Sequence, residues 1–276
     1  MAGRIVARFL VDRPVRPGMV RAILDTLSAQ GGAYEPQLIR RATDEGPRRI
    51  TWSRMAGLLD DIGQAGLRTT FLRVSDGRPE PVLSFSMSAS PRSDPSRVTM
   101  TIPAAALAAS SDVEQVLGVC KGLYLFLESP WGTVELEDAA GSSEEQLRTD
   151  PSPPAVTRPG AAASPAPSGD APTFLRWANF FGPQVIARVG PARLLTSMAF
   201  IVEILPDGGI MLVTHPSPQM AATPEGRALQ RQIEDSTGIG GALSAFSGGR
   251  RRPPSPSRLP RTTGRRRLSG HEDEDP

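Results

Sequence analysis

A chain of 276 residues has room for one large domain or two small ones and can bury a real core. Its 39% hydrophobic content, with 28 prolines and 27 glycines, predicts that part of it is unstructured. One cysteine and two histidines exclude an internal disulfide framework, a cysteine-based zinc site and a histidine-rich metal site; the net charge of +2 comes from the eight arginines of 250–267, and without them and the four acids of 272–275 the body is near −2, with no overall bias toward nucleic acid.

The first apolar stretch, Arg4–Val11, reads as a strand covered on both sides or nearly so. Arg8 and Asp12 interrupt it where a secretory leader needs unbroken apolar residues. No apolar run approaches the roughly 20 residues that span a bilayer, so the expected compartment is the cytoplasm, with no membrane partner. After Pro14 and Pro17, Met19, Val20, Ile23, Leu24 and Leu27 recur at helical spacing up to Gly31-Gly32. A second helix is predicted on Trp52, Met55, Leu58, Leu59 and Ile62.

Leu67–Val74, Pro81–Met87 and Val98–Ile102 read as an antiparallel meander, with Asp76-Gly77 as the hairpin turn between the first two. The next helix carries Val113, Val116, Leu117, Cys120, Tyr124 and Leu127 on one stripe, with Ser111 and Glu114 spaced as a capping box. Cys120 lies on that stripe, where packing explains it better than reactivity. Trp131–Glu137 adds a short strand.

Between Pro151 and Pro172 stand seven prolines separated mostly by Ala, Ser and Gly, the composition of a disordered linker. Order resumes over Thr173–Phe181, then at Pro183–Val189 and Pro191–Ser197, where each proline suits a first helical position. Ala199–Leu205 and Ile210–Thr214 flank Pro206-Asp-Gly-Gly209 as a hairpin, and a last helix opens at Thr223-Pro224 and stops at Gly238. The division expected is an N-terminal α+β part (1–137), a disordered linker (138–172), a helix–hairpin–helix part docking on the first (173–241) and a disordered basic and acidic tail (242–276). The fold class is α+β, a mostly antiparallel sheet with helices packed on it.

No catalytic constellation is legible, and the expectation is a protein without enzymatic activity or cofactor. His215 stands at a hairpin exit with no nucleophile motif, and is expected at a turn or surface. Asp60-Asp61 and Glu144-Glu145 are adjacent pairs whose side chains diverge. Gly238-Ile-Gly-Gly241 follows a helix and lacks the lysine of a phosphate loop. In the tail, Arg250, Arg251, Arg252, Arg265, Arg266 and Arg267 form two clusters able to hold phosphates, so nucleic acid is the alternative partner. A merely disordered tail, or one translated out of frame from GC-rich DNA, explains the same residues.

The most distinctive stretch is Phe174-Leu-Arg-Trp-Ala-Asn-Phe-Phe-Gly-Pro183. Trp177, Asn179, Phe180 and Phe181 are either the cover of the core, the preferred reading, or an exposed binding cluster. This stretch, followed by Val189-Gly190, Leu194-Leu195 and the Asp-Gly-Gly hairpin, resembles the C-terminal part of bacterial immunity proteins of polymorphic toxin and type VI secretion systems. The resemblance spans Arg4–Glu137 and Thr173–Gly238, and the linker and basic tail depart from it. It implies a small cytosolic antidote whose partner is a cognate protein toxin, blocked by shape and charge complementarity without catalytic residues.

Overall fold

A computed structural model describes residues 3–13, 15–30, 34–50, 68–87, 96–107, 109–138 and 175–241. The helix expected over Trp52–Ile62, the linker and the arginine clusters of the tail lie outside the described residues. Ten antiparallel strands form one sheet in the order β3-β2-β4-β5-β6-β1-β7-β8-β10-β9. They are β1 (Gly3–Val11), β2 (Leu38–Arg41), β3 (Arg48–Arg49), β4 (Arg68–Ser75), β5 (Arg78–Ser86), β6 (Ser96–Pro103), β7 (Trp131–Asp138), β8 (Ala178–Phe181), β9 (Ile201–Ile204) and β10 (Ile210–Val213). The helices are α1 (Pro17–Gln30), α2 (Ser110–Phe126), α3 (Pro183–Val189), α4 (Pro191–Leu195), α5 (Pro218–Ala221) and α6 (Pro224–Thr237). The α+β class follows directly from this arrangement.

Strand alternation explains the layers. From β1, Ile5, Ala7, Phe9 and Val11 enter the main core, where Phe71, Leu83, Phe85, Val98, Met100 and Ile102 of the neighbouring strands join them. The long helices α1 and α2 cover this face with Val20, Ile23, Leu24 and Leu27 and with Val116, Cys120, Leu123 and Tyr124. The reverse face of β1 is covered less completely than the core face, in keeping with a strand covered on both sides or nearly so. Val6 is buried there, but Arg8 instead forms ion pairs with Glu135 and Glu137 of β7.

The Asp76-Gly77 signal becomes a two-residue hairpin turn with φ of 49° and 74°, both left-handed, as a type I′ turn requires. Between Phe71 and Leu72 of β4 the register with β5 slips, leaving Val82 of β5 as an extra, bulged residue. The capping box expected at Ser111 and Glu114 sits elsewhere. The N-cap of α2 is Ala109, two residues earlier, and Asp112 Oδ2 accepts the Ala109 N–H at 2.7 Å.

The C-terminal segment joins the N-terminal strands edge to edge. Strand β8 pairs with β7 over Trp131–Val134 and, on its other side, with β10. Consecutive residues of β10 then serve opposite faces: Met211 and Val213 enter the main core, whereas Ile210 and Leu212 enter a second one with Phe181, Val185, Ile186, Val189, Leu194, Ile233 and Ile239. Helices α3, α4 and α6 thus cover the face opposite α1 and α2 at this end of the sheet.

Candidate functional site

The Trp-x-Asn-Phe-Phe-Gly-Pro stretch proves to be a fastening. Trp177, Asn179, Phe180 and Phe181 are all at most 1% exposed, so the exposed-cluster reading does not hold for them. Trp177 Nε1 donates to the His215 carbonyl at 2.9 Å, and Thr214 N–H returns to the Trp177 carbonyl at 2.8 Å. Asn179 closes a local clamp: its Oδ1 accepts the Arg176 N–H and its Nδ2 donates to the Arg176 carbonyl, each at 2.9 Å. Phe180 stacks on Tyr124, with centroids 5.3 Å apart. A side chain on Gly182 would meet the Pro130 carbonyl at 3.0 Å, and Pro183 then opens α3 at a position where no N–H is needed.

The Asp-Gly-Gly hairpin is fastened to α2 in the same way. Asp207 accepts from the Tyr124 hydroxyl at 2.8 Å and from Gly209 N–H at 2.9 Å, and Gly209 leaves no room for a Cβ against that hydroxyl. Lys121 reaches Glu203 of β9 at 2.8 Å. Burial pushes the Tyr124 phenol up, helped by the hydrogen bond to Asp207.

His215 is buried at 7% exposure, which corrects the surface expectation. Its Nδ1 lies 2.9 Å from the Thr214 hydroxyl, and Gln230 Nε2 donates to that hydroxyl at 3.4 Å. Burial lowers the His215 pKa from its ordinary value. Cys120 is fully buried and its thiol is pushed up by desolvation, a packed rather than a nucleophilic cysteine. At Gly238, φ of 71° and the N–H bond to the Glu234 carbonyl make the expected helix stop. No group of three or more potential metal-binding side chains occurs among the described residues, and no described helix is long and apolar enough to cross a membrane. A small cavity of about 120 Å³ is lined by Glu135, Arg176, Trp177, Arg227 and Gln230, with Arg176 Nε paired to Glu135 at 3.1 Å.

Among the described residues, four of the seven exposed large apolar side chains lie at the β9 end of the sheet, whereas Val74, Phe126 and Met220 are exposed singly elsewhere. Leu195, Met198, Phe200 and Ile204 are 43%, 53%, 56% and 62% exposed, and all lie in the ten residues that lead into and form β9. Strand β9 is an edge: β10 pairs on one side, and no strand among the described residues pairs on the other. Val202 and Ile204 share the face of Leu212 and Ile210, while Ile201 and Glu203 share the α2 face. Sequence reading places this strand but not its exposure. The available signal was four large apolar residues within a segment whose strand is too short to bury them all.

No protein-family profile matches the chain, and no curated protein matches it. Among solved structures, the fold is similar to that of the T6SS protein PA0821 of Pseudomonas aeruginosa, at 12% identity and a TM-score of 0.56, over 86% of this chain and 72% of that one. The two chains share the fold.

Proposed function

We propose that this protein is a non-enzymatic binding protein that neutralises a cognate toxin of a type VI secretion system by covering it. The observation that carries the proposal is the uncovered apolar edge around β9, where Met198, Phe200 and Ile204 are each more than half exposed. Contiguous exposed apolar residues on a folded surface mark sites of association, and aromatic anchors dominate such interfaces. The fold shared with a T6SS protein supports the class of partner. Blocking needs no chemistry from the antidote, only a surface that stays on its target.

The test is co-expression with the proteins encoded beside the gene. Protection of growth by the full chain, lost when Phe200→Asp and Ile204→Asp are combined in a protein that still folds, is the expected result. Absence of protection against every neighbouring product, together with no complex in solution, overturns the proposal.

A further inference from the structure

We infer that the partner engages β9 by adding a strand: an extended segment in which apolar residues alternate with basic ones pairs along Ile201–Ile204. This rests on the protein-binding reading above and names the chemistry of its partner. Three observations lead to it. First, β9 ends the sheet, so one row of its backbone N–H and C=O groups has no strand neighbour among the described residues. Secondly, the opposite end of the sheet is guarded in a way this one is not. Strand β3 is two residues long, and Arg40, Arg48 and Arg49 stand exposed at that end, whereas β9 carries three aliphatic residues in four.

Thirdly, the two faces of β9 differ in charge. Val202 and Ile204 make one face apolar. The other presents Glu203, whose side chain is 40% exposed, and the exposed Asp207, both bonded to α2, against Lys121, the one cation that the ion pairs of the described residues place on these two acids. Three groups of which two are acids leave this face net negative. An incoming strand therefore matches it with apolar side chains beside Val202 and Ile204, and with arginine or lysine beside Glu203. The same charges count against a second copy of this chain. Face-matched antiparallel pairing of β9 with itself sets Glu203 opposite its twin or two residues from it, and like charges across a strand pair are destabilising.

The experiment uses the full chain and three synthetic octapeptides: alternating valine and arginine, alternating valine and glutamate, and the first one with its amides N-methylated along one edge. Fluorescence anisotropy gives affinity and hydrogen exchange gives the location. Expected are binding of the valine–arginine peptide at least 10-fold tighter than that of the valine–glutamate peptide, new amide protection within 201–204, and loss of binding on N-methylation. Glu203→Lys is expected to reverse the preference, and Glu203→Gln to narrow it. Equal affinity for the two charged peptides, binding without protection at 201–204, or a preference unchanged in both Glu203 variants overturns the inference. So does protection of 201–204 in the protein alone that grows with concentration, which assigns the edge to a second copy. If strand addition fails while Phe200→Asp with Ile204→Asp still abolishes toxin protection, the protein-binding reading stands and only the strand mode falls.

Discussion

The edge formed by β3 is two residues long, with exposed Arg40, Arg48 and Arg49 at that end, and Asp44 ties its hairpin by accepting from Arg41 N–H at 3.0 Å with Arg48 3.5 Å away. The edge formed by β9 is four residues of Ile-Val-Glu-Ile with Phe200 and Met198 exposed beside it. Charge and brevity make the first edge a poor template for a further strand. The second offers both an unpaired backbone row and apolar side chains. What separates them is the support behind each. Behind β9 stand two cores on opposite faces and a set of fastenings to α2, so an apolar edge is held in one fixed shape.

The largest expected effect comes from removing that support. Trp177→Ala deletes a fully buried indole and its bond to the His215 carbonyl, and is expected to lower stability by about 3–5 kcal/mol in a denaturant titration. The β9 edge should lose its amide protection before the β3 edge does. If both ends melt together at an unchanged midpoint, the fastening role of Trp177 is wrong.

Next in size is a direct comparison of the edges themselves. Phe200→Asp is expected to change stability by no more than about 0.5 kcal/mol, as exposed substitutions usually do, while weakening partner binding at least about 10-fold. Arg48→Val with Arg49→Val should leave partner binding alone and instead cause concentration-dependent self-association, because it strips the charge from the guarded edge. Sedimentation velocity reads the second outcome. A monomeric double variant would show that something other than charge guards β3.

A smaller effect is expected from Tyr124→Phe. The ring and its stack on Phe180 remain, and only the hydroxyl that donates to Asp207 is lost. Hydrogen bonds of this kind contribute about 1 kcal/mol net, and Asp207 keeps the Gly209 N–H. Hydrogen exchange should therefore show a loosened 205–209 turn in a fold that is otherwise intact.

The sequence made the meander, the main helices and both hairpins legible, because periodicity and turn chemistry are local. Asp76-Gly77 and Pro206-Asp-Gly-Gly209 needed only their own residues to be read. The strands β2 and β3 were not legible: Leu38–Arg41 and Arg48–Arg49 are short and arginine-rich, and are placed by their partners, β2 by β4 and β3 by β2, rather than by any pattern of their own. The candidate site was harder still. Trp177 and Phe180 are buried, as the preferred core reading has it, while Phe200 and Ile204 look like ordinary hairpin residues, yet they are exposed. Exposure is decided by which strand ends the sheet, and strand order is a long-range property that no window of residues contains. The burial of His215 is equally illegible locally: its carbonyl accepts from Trp177, 38 positions away, and the Thr214 hydroxyl beside its ring accepts from Gln230.

Acid separates the two ends of the sheet and gives the last test. His215 lies just past β10, and burial lowers its folded pKa below the ordinary 6.5. The unfolded chain therefore takes up a proton that the folded chain refuses as the pH drops through that value. Stability at the β9 end is expected to be full above about pH 6.5 and to fall as the pH drops from there toward the folded pKa. Asp44 at the β3 end has its pKa lowered by the Arg41 N–H, then by the Arg41 side chain and by Arg48. Its contribution is present above the ordinary 3.8 and is lost only as the pH falls through the still lower folded value. Between roughly pH 6.5 and 4, then, residues 201–215 should exchange faster while 38–49 hold their protection. His215→Gln, which keeps a polar side chain that cannot take up the proton, should flatten the upper limb and leave the lower one. An acid response that starts at the β3 end, or one that survives His215→Gln unchanged, would show that the histidine does not set the acid tolerance of the binding edge.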